Sequence, residues 1–211
     1  MEIVKMEVNQ KYGVLASEES INKTVAALGK NGIQTFVAEN AAEAKQKVLG
    51  LIPKGVEVMT MTSMTLEATG IVAEINESGR YDSVRKKLNA MDRNTQGREM
   101  QKLGAAPDWT IGSVHAVTED GKVLIASNTG SQLPAYTYGA GHVIWVVGTQ
   151  KIVPNFEEGM KRIKEYTYPL EDERAQKAYG VHSNISKMLV VNKELAQGRI
   201  TIVLVKEKLG F

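Results

Sequence analysis

The order of apolar and polar positions divides the chain into helices, whose apolar residues recur every three or four positions, and short strands that alternate or run apolar throughout. Ser17-Glu18-Glu19 opens a helix whose Ile21, Val25 and Leu28 share one face, and Asn31-Gly32 supplies a left-handed stop. Gln34–Val37 reads as a strand. Asn40, with Glu43 three residues later, makes a capping-box-like start for a helix carrying Ala44, Val48 and Leu51, which Pro53-Lys54-Gly55 breaks. Val56–Met61 is the next strand, and Thr62-Ser63-Met64-Thr65 turns directly into a helix beginning near Leu66. A strand, a tight polar turn and a helix in that order predict a parallel, crossover-connected sheet. The charged stretch from Asn76 to Pro107 predicts two helices, around Ser83–Met91 and Thr95–Leu103.

From Trp109 the strands become closely spaced: Trp109–Ile111, Val114–Thr118 and Val123–Ala126, with Asp120-Gly121 marking a hairpin between the last two. His142–Val147 is an apolar run flanked by glycines, the pattern of a buried central strand around Val143–Val147. Asn155 caps a helix with Glu157 and Glu158 in its first turn and Lys161, Arg162 and Lys164 towards its end, matching the helix dipole. Phe156, Met160 and Ile163 are expected to face the core. The tail holds a charged helical stretch near Glu171–Ala178, a polar loop around Val181–Ser186 and an apolar terminal strand, Ile200–Val205. No internal repeat or low-complexity linker interrupts this order, so residues 1–211 are expected to form a single α/β domain.

Composition narrows the function. The 211 residues are 43% hydrophobic and 24% charged, enough apolar surface for a large core. The 26 basic and 24 acidic residues are mixed, with no basic run to meet a phosphate backbone, so nucleic acid is not an expected partner. There is no cysteine, which removes disulfides, thiolate metal sites and any iron–sulfur cluster held by the chain's own thiolates. Met1–Glu7 lacks an apolar signal core, and no stretch approaches the roughly 18 apolar residues of a membrane span. A cytoplasmic protein without a membrane partner is expected.

Three polar clusters fall where strands should end, the usual ligand edge of an open α/β sheet. In the first, Thr62, Ser63 and Thr65 offer hydroxyls and backbone amides to a carboxylate or phosphate, although Ser63 or Thr65 could instead cap the helix. The second is Ser127 with Asn128, Thr129, Gly130, Ser131 and Gln132, either an anion-binding turn or a solvated loop. The third, Gly148-Thr149-Gln150-Lys151, places a lysine just past the buried strand, for an anion or for proton transfer, unless it is an ordinary surface lysine. All three are expected to converge on one anion-binding pocket, because right-handed crossovers put parallel strand ends on the same edge.

Other chemistries lack their signatures. Gly139-Ala140-Gly141-His142 precedes a strand rather than following one, so it is not a dinucleotide fingerprint, and there is neither a phosphate-loop sequence nor a G-x-S-x-G elbow. His115, His142 and His182 stand alone in sequence, so neither a metal site nor a cofactor held by the chain itself is expected.

The run Gly112–Lys122, then Ile125–Gln132, then His142–Gly148 with Lys151-Ile152-Val153-Pro154, resembles the lactate-utilisation (LUD) domain family. In the tail, Arg174–Val181, Lys187-Met188-Leu189 and Glu207–Phe211 are similar to its compact form, so the resemblance runs from about Tyr12 to Phe211. It implies a three-layer α/β sandwich with a mainly parallel central sheet, the fold shared by glucosamine-6-phosphate deaminase, ribose-5-phosphate isomerase and CoA transferases. Lys151 then follows a strand where sugar-phosphate isomerases of this architecture place an active-site lysine. The resemblance also implies a role beside iron–sulfur subunits in the oxidation of L-lactate to pyruvate; larger relatives carry an appended cysteine-rich domain that this chain lacks.

Three functions remain open on the sequence. The first is an accessory subunit of lactate oxidation that binds a small carboxylate such as lactate or pyruvate, or an iron–sulfur partner. The second is a stand-alone enzyme on a phosphorylated sugar or CoA ester, with hydroxyl-rich loops for the anion and Lys151 for proton transfer. The third is a non-catalytic interaction or regulatory module.

Overall fold

The computed structural model describes residues 6–211; most of the Met1–Glu7 segment read above for a signal core lies outside the described residues. Its centre is a six-stranded, wholly parallel sheet. In chain order the first strands and helices are α1 (Glu18–Lys30), β1 (Gln34–Ala38), α2 (Ala41–Leu51), β2 (Glu57–Thr60), α3 (Met64–Thr69), α4 (Ile71–Glu77) and β3 (Asp82–Ser83). After them come α5 (Val84–Asn89), α6 (Arg93–Ala105), β4 (Trp109–Gly112), β5 (Ala116–Thr118), β6 (Val123–Ser127) and β7 (His142–Gly148). The last are β8 (Ile152–Val153), α7 (Phe156–Arg162), α8 (Tyr168–Tyr179), β9 (Lys187–Val191) and β10 (Ile200–Val205).

The helix boundaries sit where the capping residues put them. Ser17, Asn40, Ser63, Ser83, Asp92 and Asn155 each accept a backbone N–H in the first turn of the following helix, and each such cap is worth about 1 kcal/mol. At α2 the Glu43 carboxylate reaches back to the backbone N–H of Glu39 at 2.8 Å, one residue before the cap.

The central sheet runs in the order β1-β10-β7-β4-β2-β3, so β7 is interior, as its apolar run requires, and the C-terminal strand β10 inserts between β1 and β7. Alternate residues feed two cores. Val143, Trp145 and Val147 pack with Ile202 and Leu204 on one face, while Ile144 and Val146 pack with Val203 and Val205 on the other. All five residues Val143–Val147 are buried, each worth about 1.5–3 kcal/mol of apolar transfer. One face is covered by α2, α3 and α4 through Ala44, Val48, Leu66, Ile71 and Ile75.

On the other face lies a feature that periodicity alone does not anticipate: a second sheet, in the order β8-β5-β6-β9. The Asp120-Gly121 hairpin joins β5 and β6 as read, but its strands leave the central sheet and pack on it beside α1. The tail strand β9 pairs antiparallel with β6 from Val123↔Val191 to Ser127↔Lys187. The outer surface of this small sheet is covered by α7, the π-helical turn at Ile163–Thr167 and α8, around Leu124, Ala126, Val153, Ile163 and Tyr166.

The expected core face of α7 holds for Ile163, which is buried, and for Met160, which packs beside it, but not for Phe156, which is 42% exposed. Arg162, one of the charges placed towards the helix end, is fully buried. Gly159 explains its position. A Cβ there would stand 2.9 Å from a Leu124 methyl group, so α7 approaches the small sheet along Gly159, and the next residues on that side are Arg162, Ile163 and Tyr166.

Candidate functional site

Segments from both sheets meet in a cleft of about 450 Å³. Its wall from the central sheet comes from the residues after β2 and β4, its floor from the short turn after β7, and its far wall from the loop after β6. The rim is built by the start of α8, the segment Ser183–Ile185 and the C-terminal Phe211.

Lys151 lies in the floor and is 2% exposed, so the surface-lysine alternative does not hold. Its ammonium donates to Thr65 Oγ1 at 3.0 Å, to Ser113 Oγ at 3.1 Å and to the Val114 carbonyl at 3.1 Å. None of the three is an acid. Burial, and then the nearby Arg162 guanidinium, hold the Lys151 pKa well below the ordinary 10.5.

Arg162 forms the second shielded cation. Its Nε donates to the Gln150 carbonyl at 3.2 Å and its Nη1 to Thr167 Oγ1 at 2.9 Å and to the His115 carbonyl, while Nη2 has no partner. The guanidinium carbon stands 5.1 Å from the Tyr166 ring centre. Burial lowers its pKa to about 10, which leaves it charged near neutral pH. The carbonyls it grips belong to residues flanking Lys151 and the cleft, so Arg162 fixes the floor as well as charging it.

His115 borders the cleft near both of these cations. Its Nδ1 accepts the Ala126 N–H at 3.1 Å, which places the proton of the neutral ring on Nε2. Burial, Lys151 and Arg162 push its pKa down to about 3, so it is a neutral donor rather than a base.

The sequence-predicted site residues divide as follows. Thr62, Ser63, Thr65, Asn128, Thr129, Ser131, Gln132 and Lys151 all line the cleft. Gly130 does not: it sits against the Lys187 side chain, and its N–H is taken by Ser127 Oγ at 2.8 Å. Ser63 caps α3 through the Leu66 N–H, and α3 is only six residues long. Thr65 is buried and acts twice, accepting from Lys151 and donating to the Leu209 carbonyl at 3.1 Å. The convergence has a different cause from the one expected for the loop after β6. That loop follows a strand of the second sheet, so sheet-on-sheet packing, rather than parallel connectivity, brings Asn128–Gln132 to the cleft.

Ser113, His115, Tyr168, Glu171, Arg174 and Tyr179 also line the cleft; His115 was weighed only as a metal ligand, and the others were not singled out. Arg174 is tied to Glu171 by two bonds of 2.7 Å and lies 5.3 Å from the Tyr179 ring centre. In sequence the first two belong to a strand end and the others to a charged helix face, which gives no local signal. His142 stacks on Trp109, and His182 pairs with Asp172 at 2.9 Å. Among the described residues no group of three or more His, Asp or Glu side chains could hold a metal ion, and no helix is long and apolar enough to cross a membrane.

The architecture defines an α/β protein with a sheet-end cleft floored by shielded cations. A LUD domain model matches residues 21–205, and the chain belongs to the LUD domain family, which is associated with lactate utilisation. A solved structure of a DUF162 family protein from Deinococcus radiodurans shares the fold, with a TM-score of 0.57 at 12% identity over 91% of this chain and 99% of that one. A search among curated proteins gives no match.

Proposed function

We propose that this chain is a cytoplasmic component of L-lactate oxidation to pyruvate that binds the small carboxylate in its cleft, with electron transfer carried by an iron–sulfur partner. Membership of the LUD family supports the pathway. These 211 residues contain no cysteine, so thiolate ligands for a cluster would have to come from outside them.

The observation that carries the reading is Lys151 in the cleft floor, with Arg162 behind it and no carboxylate paired to either. A buried charge without an acidic partner is costly, and an entering anion supplies what is missing. Charged, Lys151 pairs with it directly. Neutral, Lys151 takes up a proton as the anion raises its pKa. Ser113 and the Nε2–H of His115 add directed hydrogen bonds.

A second reading, an enzyme acting on a sugar phosphate or CoA ester, is supported by size: about 450 Å³ lies in the range of pockets for larger ligands and exceeds what a three-carbon acid fills. Thermal-shift and calorimetric titration with L-lactate, pyruvate, glucosamine 6-phosphate and coenzyme A separate the two. Stabilisation by lactate or pyruvate, lost in Lys151→Met, is expected. Binding of the phosphorylated compounds alone would replace the first reading with the second.

A further inference from the structure

We propose that Lys151 is an imine-forming lysine, whose amine condenses with the carbonyl carbon of a 2-oxo acid seated in the cleft. This rests on the small-carboxylate reading and goes beyond it, because it assigns covalent chemistry to the site and separates 2-oxo acids from 2-hydroxy acids.

Accounting for the hydrogens around Nζ points to this role. The Thr65 hydroxyl hydrogen is committed to the Leu209 carbonyl, so Thr65 Oγ1 can only accept from Lys151. The Val114 carbonyl can likewise only accept. Ser113 Oγ is different, since its other contact, to the Val114 carbonyl at 3.5 Å, is at the limit of a hydrogen bond. The three partners therefore suit both states of the nitrogen. An ammonium donates to all three; a neutral amine donates to Thr65 and Val114 and directs its lone pair at the Ser113 hydroxyl. Ser113 lines the cleft and is partly exposed, so the lone pair faces the side from which a ligand arrives.

The surroundings favour the amine. A lysine shielded from water and placed beside another cation is the arrangement that makes an amine nucleophilic at neutral pH, and both conditions hold here. A purely structural buried lysine would be expected to pair with a carboxylate, and none is present at this one.

The step balances without another reactant. The Nζ lone pair attacks the carbonyl carbon, and the carbonyl oxygen takes one amine proton, relayed through Ser113, to give a carbinolamine. The C–O bond then breaks as the second amine proton leaves with that oxygen, so one water is released and a C=N bond remains. Neither oxidant nor reductant is needed. The neutral His115, which lines the same cleft, carries its proton on Nε2 and supplies a further donor.

Reductive trapping tests this. The whole chain is incubated with pyruvate or L-lactate, treated with sodium borohydride and examined by intact mass and peptide mapping, alongside calorimetry of the same ligands. A stable adduct on the Lys151 peptide is expected with pyruvate and not with L-lactate, which has no carbonyl. Lys151→Arg, which has no amine to condense, should give no adduct with either acid. Ser113→Ala should trap about tenfold more slowly or worse. Pyruvate binding without an adduct, or an adduct that survives in Lys151→Arg, would overturn the imine and leave the carboxylate reading standing. Absence of binding by both acids would remove both.

Discussion

Lys151 Nζ and Thr65 Oγ1 stand 3.0 Å apart although 86 residues separate them in sequence. One follows the central strand β7 and the other opens α3 after β2, and the Leu209 carbonyl beyond β10 holds the threonine in place. The contact ties together the ends of three parallel strands, and it sets the position of the Lys151 amine in the cleft floor.

Replacing that amine tests its electrostatic state. The folded pKa of Lys151 is depressed below 10.5, so at pH values between the two the unfolded chain binds the extra proton and folding stability rises with pH. The depressed amine therefore costs stability in full below its folded pKa, and this cost disappears as pH approaches 10.5. Lys151→Met removes the titration but leaves the Val114 carbonyl short of a donor, so its stability near neutral pH should lie within about 1 kcal/mol of the parent. Urea unfolding near pH 7 and about pH 9.5 should show the parent gaining on the variant at the higher pH.

His115 contributes in the opposite range. Its folded pKa of about 3 lies below the ordinary 6.5, so the unfolded chain takes up the proton first and stability falls as pH drops from 6.5 towards 3. The loss should reach about 2–4 kcal/mol by the acid end of that window, discounting for the ring's partial exposure to the cleft. Nitrogen chemical shifts should report a neutral ring with Nε2 protonated near pH 5; a charged ring there would contradict the assignment.

Arg162 should behave as a structural cation. Truncation to alanine strands the Gln150 and His115 carbonyls and opens a buried space beside Tyr166, for a loss of about 2–4 kcal/mol. Denaturant midpoints measure this. Arg162→Ala should also bind carboxylates more weakly where it still folds, because the floor loses its permanent charge.

Gly210 presses on the site from the C-terminal side. Its φ is +61°, and a Cβ there would stand 2.6 Å from Thr65 Oγ1 and 2.9 Å from Thr65 N. Gly210→Ala combines a disfavoured backbone with a clash against backbone, so a loss of about 1–3 kcal/mol is expected. Because Thr65 must shift, ligand affinity should fall with stability, whereas Gly29→Ala, at a helix position with open space around it, should leave affinity unchanged and not lower stability.

Affinity for L-lactate, which has no carbonyl to condense with the amine, should fall as pH rises through the range in which free Lys151 loses its proton, since binding raises the pKa of that amine and draws a proton in. The other titratable side chains bordering the cleft are His115, Glu67, Tyr136, Tyr168, Tyr179, and the paired Glu171 and Arg174. Calorimetry in buffers of different ionisation enthalpy should show proton uptake that vanishes in Lys151→Met.

Much of the architecture follows from short-range rules. Capping side chains at Ser17, Asn40 and Asn155, the Asp120-Gly121 turn and the unbroken run Val143–Val147 each specify their local structure, because backbone hydrogen bonds and apolar alternation act over a few residues. The polar residues Thr62, Thr65, Ser131 and Lys151 were legible as cleft residues for the same reason, since each follows a strand. Other features depended on contacts between distant segments. The pairing of β9 with β6 made a second sheet, the close approach at Gly159 turned Arg162 inward from an apparently charged helix face, and the folding of the tail over Thr65 completed the floor. The sequence determined which polar residues follow the strands; tertiary packing decided that Lys151 is shielded from water, has Arg162 rather than an acid as its charged neighbour, and faces Ser113, because burial and charge proximity are properties of space and not of chain order.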